Sequence, residues 1–484
     1  MTMLKDIYIE FLGKALLTID RLEILDGDKI AIIGANGSGK TTLLNLISGH
    51  FNNFSGIFEK NHDFLYLKQI ENNNELGNET NYALISKMGG VPYSGSFENC
   101  SGGEKIRLGL SNVIKDEFVN LMLDEPTTNL DLSSVKFLMK TLKNHQGTII
   151  FTTHDRNLVE EIATKIWVIE NHKVKEYKGS WTDYTEQKQL ERATVENINT
   201  QIDVQKEQLQ SAIQNKREAL KRTSNVTSSK KNKRINPGRL GQSKSRGSSQ
   251  KGISRQIKSL EKKLENIPMK KGILENKEIQ FPSMDIQKSS RIVMYANKLT
   301  IHAGDNMLLD NTSFQIETGE KVAFVGNNGV GKTTLLNHIY HRHEAIIISS
   351  NVKFSYLRQD FFFDQKDVDL IHFVMNDTEH SYDFVVDVLE KIGFDKSDLV
   401  KQTMTLSAGE QLKALLATSL LNRSNVLILD EPTNYLDIDA IQGLEQLIKQ
   451  YPGTILFTSH DSFFVDKIAT VIYEISQRKL KRIR

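Results

Sequence analysis

The sequence carries two copies of a phosphate-binding pattern, in which a glycine is followed by four residues and then by Gly-Lys-Thr. Each copy follows an apolar, β-rich run and precedes a helix-forming run. This context points the N-terminus of a helix at an anion. The sequence therefore predicts two nucleotide sites. The residues predicted to hold the phosphates are Gly34, Asn36, Gly37, Gly39, Lys40, Thr41 and Thr42 in the first copy, and Gly326, Asn328, Gly329, Gly331, Lys332, Thr333 and Thr334 in the second.

The phosphate loops belong to a longer internal repeat. Residues 1–180 and 293–484 align motif by motif, which indicates a tandem duplication with an insertion between the copies. Within each copy, short β-rich runs alternate with helical patterns, and this predicts an α/β fold with a mostly parallel sheet. We expect domains at 1–181 and 291–484, joined by an interdomain segment at 182–290.

Each copy also has an apolar strand that ends in two acids, Asp124-Glu125 and Asp430-Glu431. We expect the first acid to help hold Mg²⁺ and the second to activate the attacking water. A glutamine at a strand end can reach the same metal, and a histidine after a later strand can reach the γ-phosphate. The predicted metal ligands are Thr41, Gln69, Asp124, Thr333, Gln359 and Asp430. The predicted catalytic residues are Glu125, His154, Glu431 and His460.

One ring in each copy stands well ahead of the phosphate loop. Phe11 precedes Gly34 by 23 residues (34 − 11), and His302 precedes Gly326 by 24 (326 − 302). Both positions suit a ring that stacks on adenine. A packing residue on an early strand is the alternative.

Cysteine content and hydrophobic pattern indicate the cellular compartment of the protein. Cys100 is the one cysteine, so no internal disulfide can form and a reducing compartment is expected. No apolar stretch reaches 18 residues, and the N-terminus lacks the plan of a signal peptide. We therefore expect a cytoplasmic protein.

The charge is concentrated in one segment. Residues 211–271 hold 18 Lys and Arg against 3 Glu, a balance of +15 (18 − 3), while the whole chain carries only +2. This imbalance suggests that the segment meets a polyanionic partner.

The interdomain segment is predicted to form two helices joined by a basic loop. Apolar residues recur at roughly helical spacing before and after residues 223–252, which predicts an antiparallel coiled-coil hairpin with a tip loop there. Residues 185–280 lack Phe, Tyr and Trp, so phosphate contacts and shape recognition of folded RNA fit better than base stacking. A disordered basic linker remains the alternative. The predicted RNA contacts are Lys230, Lys231, Lys233, Arg234, Arg239, Lys244 and Arg246.

A last pair of motifs resembles the signature of the ATP-binding cassette family. These motifs are Cys100-Ser101-Gly102-Gly103-Glu104 and Leu406-Ser407-Ala408-Gly409-Glu410, in which Cys100 and Ala408 depart from the usual Leu and Gly. The resemblance implies that each signature completes the phosphate loop of the other copy. One ATP would lie between Lys40 and Ser407, and the other between Lys332 and Ser101. The signature residues expected at ATP are Ser101, Gly102, Gly103, Glu104, Ser407, Ala408, Gly409 and Glu410.

Twin cassettes with a basic helical hairpin between them resemble the ABC-F proteins, and most closely their antibiotic-resistance ribosomal protection branch of macrolide, streptogramin, lincosamide and pleuromutilin type. The resemblance implies a monomer that binds the E site of the 70S ribosome and contacts 23S rRNA and P-site tRNA. Its hairpin would reach toward the peptidyl-transferase centre and displace the drug, and ATP hydrolysis would release the protein. No membrane subunit is expected.

Three other functions remain open from the sequence. A housekeeping ABC-F translation factor usually carries an extra arm inside the first cassette, and the 32 residues from Gln69 to Ser101 (101 − 69) leave little room for one. The other two are an ATPase subunit of a drug exporter and a DNA-repair cassette protein.

Overall fold

The computed structural model describes residues 1–11, 13–68, 85–86, 102–114, 117–128, 130, 132–229, 243–267, 281, 291–304, 306–327, 329–358, 368–434 and 436–484. The chain divides into two compact units. One contains Met1–Tyr184 together with Ile279–Arg484, and the other contains Thr185–Glu278.

The first repeat forms one mixed sheet with helices packed against it. The strands are β1 (Thr2–Phe11), β2 (Lys14–Ile24), β3 (Lys29–Gly34), β4 (Ser55–Glu59), β5 (Leu65–Leu67), β6 (Leu121–Asp124), β7 (Ile149–Thr152), β8 (Lys165–Glu170) and β9 (Lys173–Lys178). The helices are α1 (Lys40–Ser48), α2 (Gly102–Val113), α3 (Leu132–Asn144) and α4 (Arg156–Ile162). The strand order is β4-β1-β2-β9-β8-β3-β7-β6-β5.

Two helices follow, α5 (Trp181–Ser229) and α6 (Ser243–Glu265). The second repeat then supplies β10 (Ile292–Ala303), β11 (Asn306–Glu317), β12 (Lys321–Val325), β13 (Ile346–Ile348), β14 (Phe354–Leu357), β15 (Val426–Asp430), β16 (Thr454–Thr458), β17 (Val471–Ser476) and β18 (Lys479–Arg482). Its helices are α7 (Lys332–Tyr340), α8 (Leu370–Met375), α9 (Tyr382–Lys391), α10 (Ala408–Leu421), α11 (Ile438–Gln450) and α12 (Ser462–Ile468).

The second repeat reproduces the first strand for strand. Its strands form a β11-β10-β13 sheet and a β14-β15-β16-β12-β17-β18 sheet. A hydrogen bond of 2.9 Å from Asp310 N to Arg478 O joins β11 to the turn before β18, as a 2.6 Å bond from Thr18 N to His172 O joins β2 to the turn before β9. The predicted α/β class with tandem cassette folds is confirmed.

The central strands of each cassette are parallel and largely buried. In the first repeat, β3 pairs with β7 and β8, and β6 pairs with β5 and β7. All four residues of β6 and of β7 are buried, as expected for a parallel sheet covered on both faces. Because parallel strands end at one edge, this topology brings the loops after β3, β6 and β7 together.

Helix α5 begins in an aromatic cluster of the first cassette. Trp181, the first residue of α5, and Tyr184 are buried, and their ring centroids lie 5.2 Å apart. Tyr177 of β9 meets Tyr184 edge to face at 5.0 Å. Buried aromatic pairs of this kind stabilise beyond their buried area. The cluster therefore anchors the first turn of α5 in the core of the first cassette.

Within the second unit, α5 and α6 contact each other side by side. Lys216 Nζ donates to Gln256 Oε1 at 2.8 Å, and Arg217 forms a 2.6 Å ion pair with Glu261. At about 1.5 Å per residue the 49 residues of α5 span about 73 Å. No helix in the described ranges is long and apolar enough to cross a bilayer.

The apolar stripe predicted on these helices is only partly buried. Ile202, Ile213 and Ile257 are buried, but Leu190 is 70% exposed. The predicted tip loop at 223–252 is also shorter at both ends, because α5 continues to Ser229 and α6 begins at Ser243. Ser, Lys and Arg are tolerated in helices, and isolated glycines cost only about 1 kcal/mol each. Residues 230–242 lie outside the described residues.

Candidate functional site

Each phosphate loop lies between a buried strand and a helix, as predicted: β3 and α1 in the first cassette, β12 and α7 in the second. Gly39 and Gly331 precede these helices with φ of 100° and 103°. A Cβ at either position would lie 3.1 Å from the side chain of Leu17 or Leu308. Only glycine fits this turn, which directs the N–H groups of the helix toward an anion.

The two loop lysines are buried and point back across their own loops. Lys40 Nζ donates to the carbonyl oxygens of Gly34 at 2.9 Å and Ala35 at 3.1 Å. Lys332 Nζ makes the matching bonds to Gly326 at 2.9 Å and Asn327 at 3.2 Å. Burial lowers the pKa of both ammonium groups. An ammonium held this way is well placed to neutralise phosphate oxygens.

The first acid of each pair sits at the end of its strand among hydroxyl groups. Asp124 accepts from Thr41 Oγ1 at 3.0 Å and from Thr152 Oγ1 at 2.5 Å. Asp430 accepts from Thr458 Oγ1 at 2.6 Å. Its other oxygen, Oδ2, is buried and has no hydrogen-bond partner among the described residues. A buried, unpaired carboxylate oxygen beside a hydroxyl-bearing phosphate loop fits a hard cation such as Mg²⁺.

The second acid of each pair has unusual backbone geometry. Glu125 and Glu431 both adopt φ of 52°, in the left-handed region that residues other than glycine rarely occupy. Each backbone N–H is held by the threonine of the next strand, Glu125 by Thr152 at 3.0 Å and Glu431 by Thr458 at 2.9 Å. Burial raises the pKa of both carboxyl groups to about 7. A carboxylate with such a pKa is suited to accept a proton near neutral pH.

Both predicted histidines meet these glutamates, but with different geometry. His154 Nε2 lies 3.1 Å from Asn36 Oδ1 and 3.4 Å from Glu125 Oε1. His460 Nε2 lies 3.1 Å from Glu431 Oε1, and its backbone N–H donates to Glu431 Oε2 at 3.1 Å. Burial, with the nearby Lys40 charge, lowers the pKa of His154 to about 3, so that imidazole is neutral.

The second signature forms a capping box at the start of α10. Ser407 accepts from the Glu410 N–H, and the Glu410 carboxylate accepts from the Ser407 N–H at 2.8 Å. Ala408 is the first helical residue and does not have positive φ, so its methyl group is compatible with the backbone. In the first signature, Gly102, Gly103 and Glu104 begin α2.

The second cassette packs against the first close to the phosphate loop, because Ile438 joins the buried core that contains Ile33 of β3. Asp437, just before α11, forms a buried ion pair with Lys413 of α10 at 3.0 Å. The charge of Asp437 raises the pKa of both Lys40 and His154, against the larger effect of burial. The sequence pattern did not identify Lys413, Thr152 or Thr458, because these residues act through contacts that only the fold creates.

The predicted adenine-stacking rings and RNA contacts make no contacts that define a site among the described residues. Phe11 is 66% exposed at the end of β1, and His302 is exposed in β10, so neither is a core residue. Lys244 and Arg246 belong to α6. The predicted site residues outside the described residues are Gln69, Ser101, Asn328, Gln359, Lys230, Lys231, Lys233, Arg234 and Arg239.

Comparison with known proteins agrees with two tandem domains of the same fold. The family model described as "ABC transporter" matches residues 17–84 and 309–434, one segment in each repeat. The solved structure titled "RNase-L Inhibitor" superposes with a TM-score of 0.62 over 99% of this chain and 91% of that chain, at 14% sequence identity. This similarity supports the fold.

Two curated relatives match almost the whole chain. The erythromycin resistance ATP-binding protein MsrA of Staphylococcus epidermidis is 37% identical over 474 residues, covering 96% of each chain. The ribosome protection protein VmlR of Bacillus subtilis is 31% identical over 471 residues, covering 95% of this chain and 84% of VmlR. Both relatives are similar across the two repeats and the segment between them.

Proposed function

The chain belongs to the ABC-F family of ATPases, in its antibiotic-resistance branch, and we propose that it is a cytoplasmic ribosome protection factor driven by ATP. The observation that carries this proposal is near full-length similarity to a resistance protein and to a ribosome protection protein. The duplicated site and the long helices between the cassettes agree with it.

We propose that ATP is held by the phosphate loops and that Mg²⁺ accompanies it. The metal would be held by Thr41, Gln69 and Asp124 in one site, and by Thr333, Gln359 and Asp430 in the other. It would supply charge neutralisation at the phosphates. The unpaired Oδ2 of Asp430 and the hydroxyl–carboxylate contact of Thr41 with Asp124 support this assignment.

Glu125 and Glu431 are the proposed bases that orient and deprotonate the attacking water. Their raised pKa suits that task, and the hydroxyl groups of Thr152 and Thr458 hold the backbone N–H groups of these two strained residues. His154 and His460 keep each glutamate in place and present an imidazole to the γ-phosphate. Phe11 and His302 are exposed rings that could stack on adenine.

Each ATP would be shared between cassettes. Lys40 would work with the signature of Ser407, and Lys332 with that of Ser101. The packing of Ile438, the neighbour of Asp437, into the core of the first cassette supports this pairing, together with the effect of the Asp437 charge on the pKa of Lys40. Closure on two ATP would then set the position of the domain 182–290 between the cassettes 1–181 and 291–484.

On the ribosome, the monomer would occupy the E site and contact 23S rRNA and P-site tRNA, without a membrane subunit. The tip of the hairpin would reach toward the peptidyl-transferase centre, displace the acceptor end of the tRNA and cause the drug to leave. ATP hydrolysis would release the protein. The balance of +15 in residues 211–271 supports contact with RNA phosphates.

The test uses the Glu125→Gln, Glu431→Gln double variant, which should bind ATP without hydrolysing it. With ATP, this variant should cosediment with ribosomes more strongly than the wild-type chain. Cells expressing the wild-type chain should tolerate drugs of the peptidyl-transferase centre or exit tunnel, and cells expressing the variant should not. Absence of the ATP-dependent complex would refute the ribosomal role.

The drug panel also separates the alternatives. Ribosome binding with no change in drug susceptibility would favour a housekeeping ABC-F factor. Reduced drug accumulation in cells without ribosome binding would favour an exporter subunit.

A further inference from the structure

A buried cluster of charged residues joins the two cassettes beside both histidines. Arg156 opens α4 directly after His154-Asp155, and its side chain is 3% exposed. Its Nη1 forms a 2.7 Å ion pair with Glu445 of α11, and its Nη2 forms a 2.7 Å ion pair with Asp461. Lys467 pairs with the other oxygen of Glu445 at 2.5 Å. A residue of the first cassette thus bridges two acids of the second.

Asp461 is the residue that fixes the second histidine. Its Oδ1 accepts from Phe464 N at 3.1 Å and so caps α12, while its own N–H donates to Ser459 Oγ at 3.1 Å. His460 lies between these anchors and donates its N–H to Glu431. Holding Asp461 Oδ2 therefore holds the segment that orients the Glu431 carboxylate.

The second cassette does not supply a matching arginine to the first cassette, so the cluster occurs in one direction. Matched motifs are separated by 306 residues (430 − 124 and 461 − 155), so Arg156 corresponds to Ser462 and Glu445 corresponds to Met139 (445 − 306). Ser462 instead bonds through its hydroxyl to Asn157. The first histidine segment therefore has no arginine at the matched position of the other cassette.

We propose that Arg156 is a positioning residue supplied by the first cassette to the ATP site of the second. It acts through Asp461 and His460 on Glu431, so hydrolysis at the Lys332 site depends on contact between the cassettes. This proposal rests on the proposed roles of His460 and Glu431. A planar guanidinium is required, because it reaches two carboxylates in fixed directions and an ammonium does not.

The test begins with the turnover of single variants. Arg156→Gln should slow hydrolysis at the Lys332 site about tenfold and leave KM within about twofold, because misplacing a catalytic group costs rate rather than binding. Total kcat should therefore fall nearly to the turnover of the Lys40 site alone. Arg156→Lys keeps the charge and should stay nearer to Arg156→Gln than to the wild-type chain. Lys143→Gln is the matched control, because Lys143 pairs with Glu161 on the exposed surface of the same cassette.

Double variants then ask which site Arg156 serves. In a His460→Ala background, Arg156→Gln should change single-turnover hydrolysis by about twofold or less. In a His154→Ala background, which leaves the Lys332 site to act, the same change should slow hydrolysis about tenfold. Equal losses in both backgrounds would overturn the proposal. Where Arg156→Gln does not fold, Glu445→Gln is compared in the same backgrounds with the same expectation.

The two levels of inference fail differently. If His154→Ala and His460→Ala both retain wild-type turnover, the proposed histidine roles fail and the role of Arg156 fails with them. If both lose turnover while Arg156→Gln has no preference between them, only the role of Arg156 is overturned.

Discussion

The glutamates at the ends of β6 and β15 are held in a conformation that costs energy. A non-glycine residue with φ near 52° stores on the order of 1–3 kcal/mol unless its surroundings compensate. In both cassettes the compensation is a buried threonine one strand away. Its hydroxyl accepts from the glutamate N–H and donates to the neighbouring aspartate. One side chain thus orients both acids.

Replacing that threonine tests this role. Thr458→Val keeps the shape of the side chain but leaves the Glu431 N–H and one Asp430 oxygen without this partner, so the free energy of unfolding should fall by about 1–3 kcal/mol. The kcat for ATP should fall as well, because Glu431 is no longer fixed. Urea unfolding and steady-state turnover measure the two effects. Thr458→Ser retains the hydroxyl group and should stay close to the wild-type chain. If Thr458→Ser loses as much stability and turnover as Thr458→Val, the hydroxyl group does not have this role.

The glycine that closes each phosphate loop gives a second prediction about single residues. Gly331→Ala places a methyl group 3.1 Å from the Leu308 side chain at φ of 103°, so the loop must distort and ATP affinity should fall by about tenfold or more. Equilibrium binding of a fluorescent ATP analogue reports the change. Gly319→Ala, in the turn between β11 and β12 of the same cassette, is the matched control. It also has positive φ, at 83°, but its methyl group would meet its nearest atom, Pro452 O, at 4.0 Å, so ATP affinity should not change.

At the scale of elements, each cassette ties the first residue of its phosphate-loop strand to the end of a distant helix. Lys321, the first residue of β12, donates to the carbonyl oxygens of Tyr451 at 2.7 Å and Gly453 at 2.6 Å, just beyond α11. Lys29 of β3 reaches Leu142 at 3.0 Å and Lys143 at 2.7 Å near the end of α3. A cation at a helix C-terminus satisfies orphan carbonyls and opposes the helix dipole.

The Lys321 contact predicts a pH dependence of stability. Burial lowers the pKa of Lys321 to about 8, below its ordinary value, so between about pH 8 and pH 10 the unfolded chain holds a proton that the folded chain has lost. The wild-type chain should therefore gain stability relative to Lys321→Met as pH rises through this window. Urea midpoints at a series of pH values measure the difference.

The matched variant for this prediction is Lys29→Met. Lys29 is less buried than Lys321, although burial also lowers its pKa. Its stability difference from the wild-type chain should change less across the same pH window. A flat difference for Lys321→Met would show that the ammonium stays charged in the folded chain.

The phosphate loops and the acid pairs could be predicted from the sequence, because their chemistry fixes both the residue types and their spacing. A strand precedes each phosphate loop, as the sequence predicts, and Asp124 and Asp430 end strands as expected. Arg156, Lys413 and Thr458 could not be found this way. Each acts on a partner distant in sequence, so its role depends on packing that the local pattern does not encode. The extents of α5 and α6 were missed because residues such as Ser and Lys are compatible with both helix and loop.

The molecule as a whole joins two pseudo-equivalent cassettes through contacts that are not equivalent. Arg156 of the first cassette pairs with two acids of the second cassette. Asp437, another acid of the second cassette, pairs with Lys413 and also raises the pKa of Lys40 in the first cassette. A duplicated chain can thus assign different tasks to its two sites. Of these contacts, the Arg156 ion pairs cross between the cassettes, and removing one partner of a buried ion pair costs on the order of 3–5 kcal/mol.

The segment between the cassettes gives the last prediction. Changing Lys230, Lys231, Lys233, Arg234 and Arg239 together to Gln removes five positive charges from the proposed RNA contact. ATP turnover should stay at the wild-type level, because these residues lie outside the cassettes. Ribosome affinity should fall, and the slope of log affinity against log salt should flatten by up to about 3.5, at roughly 0.7 for each lost phosphate contact.

The control changes five exposed lysines of the cassettes, namely Lys5, Lys14, Lys173, Lys396 and Lys481. This variant alters net charge by the same amount but leaves the tip intact, so a general electrostatic attraction would weaken equally in both variants. Cosedimentation of the Glu125→Gln, Glu431→Gln protein with ribosomes across a salt series separates the two. If the tip variant and the control lose the same slope, the hairpin tip makes no specific phosphate contacts, and its basic residues act only through the overall charge of the chain.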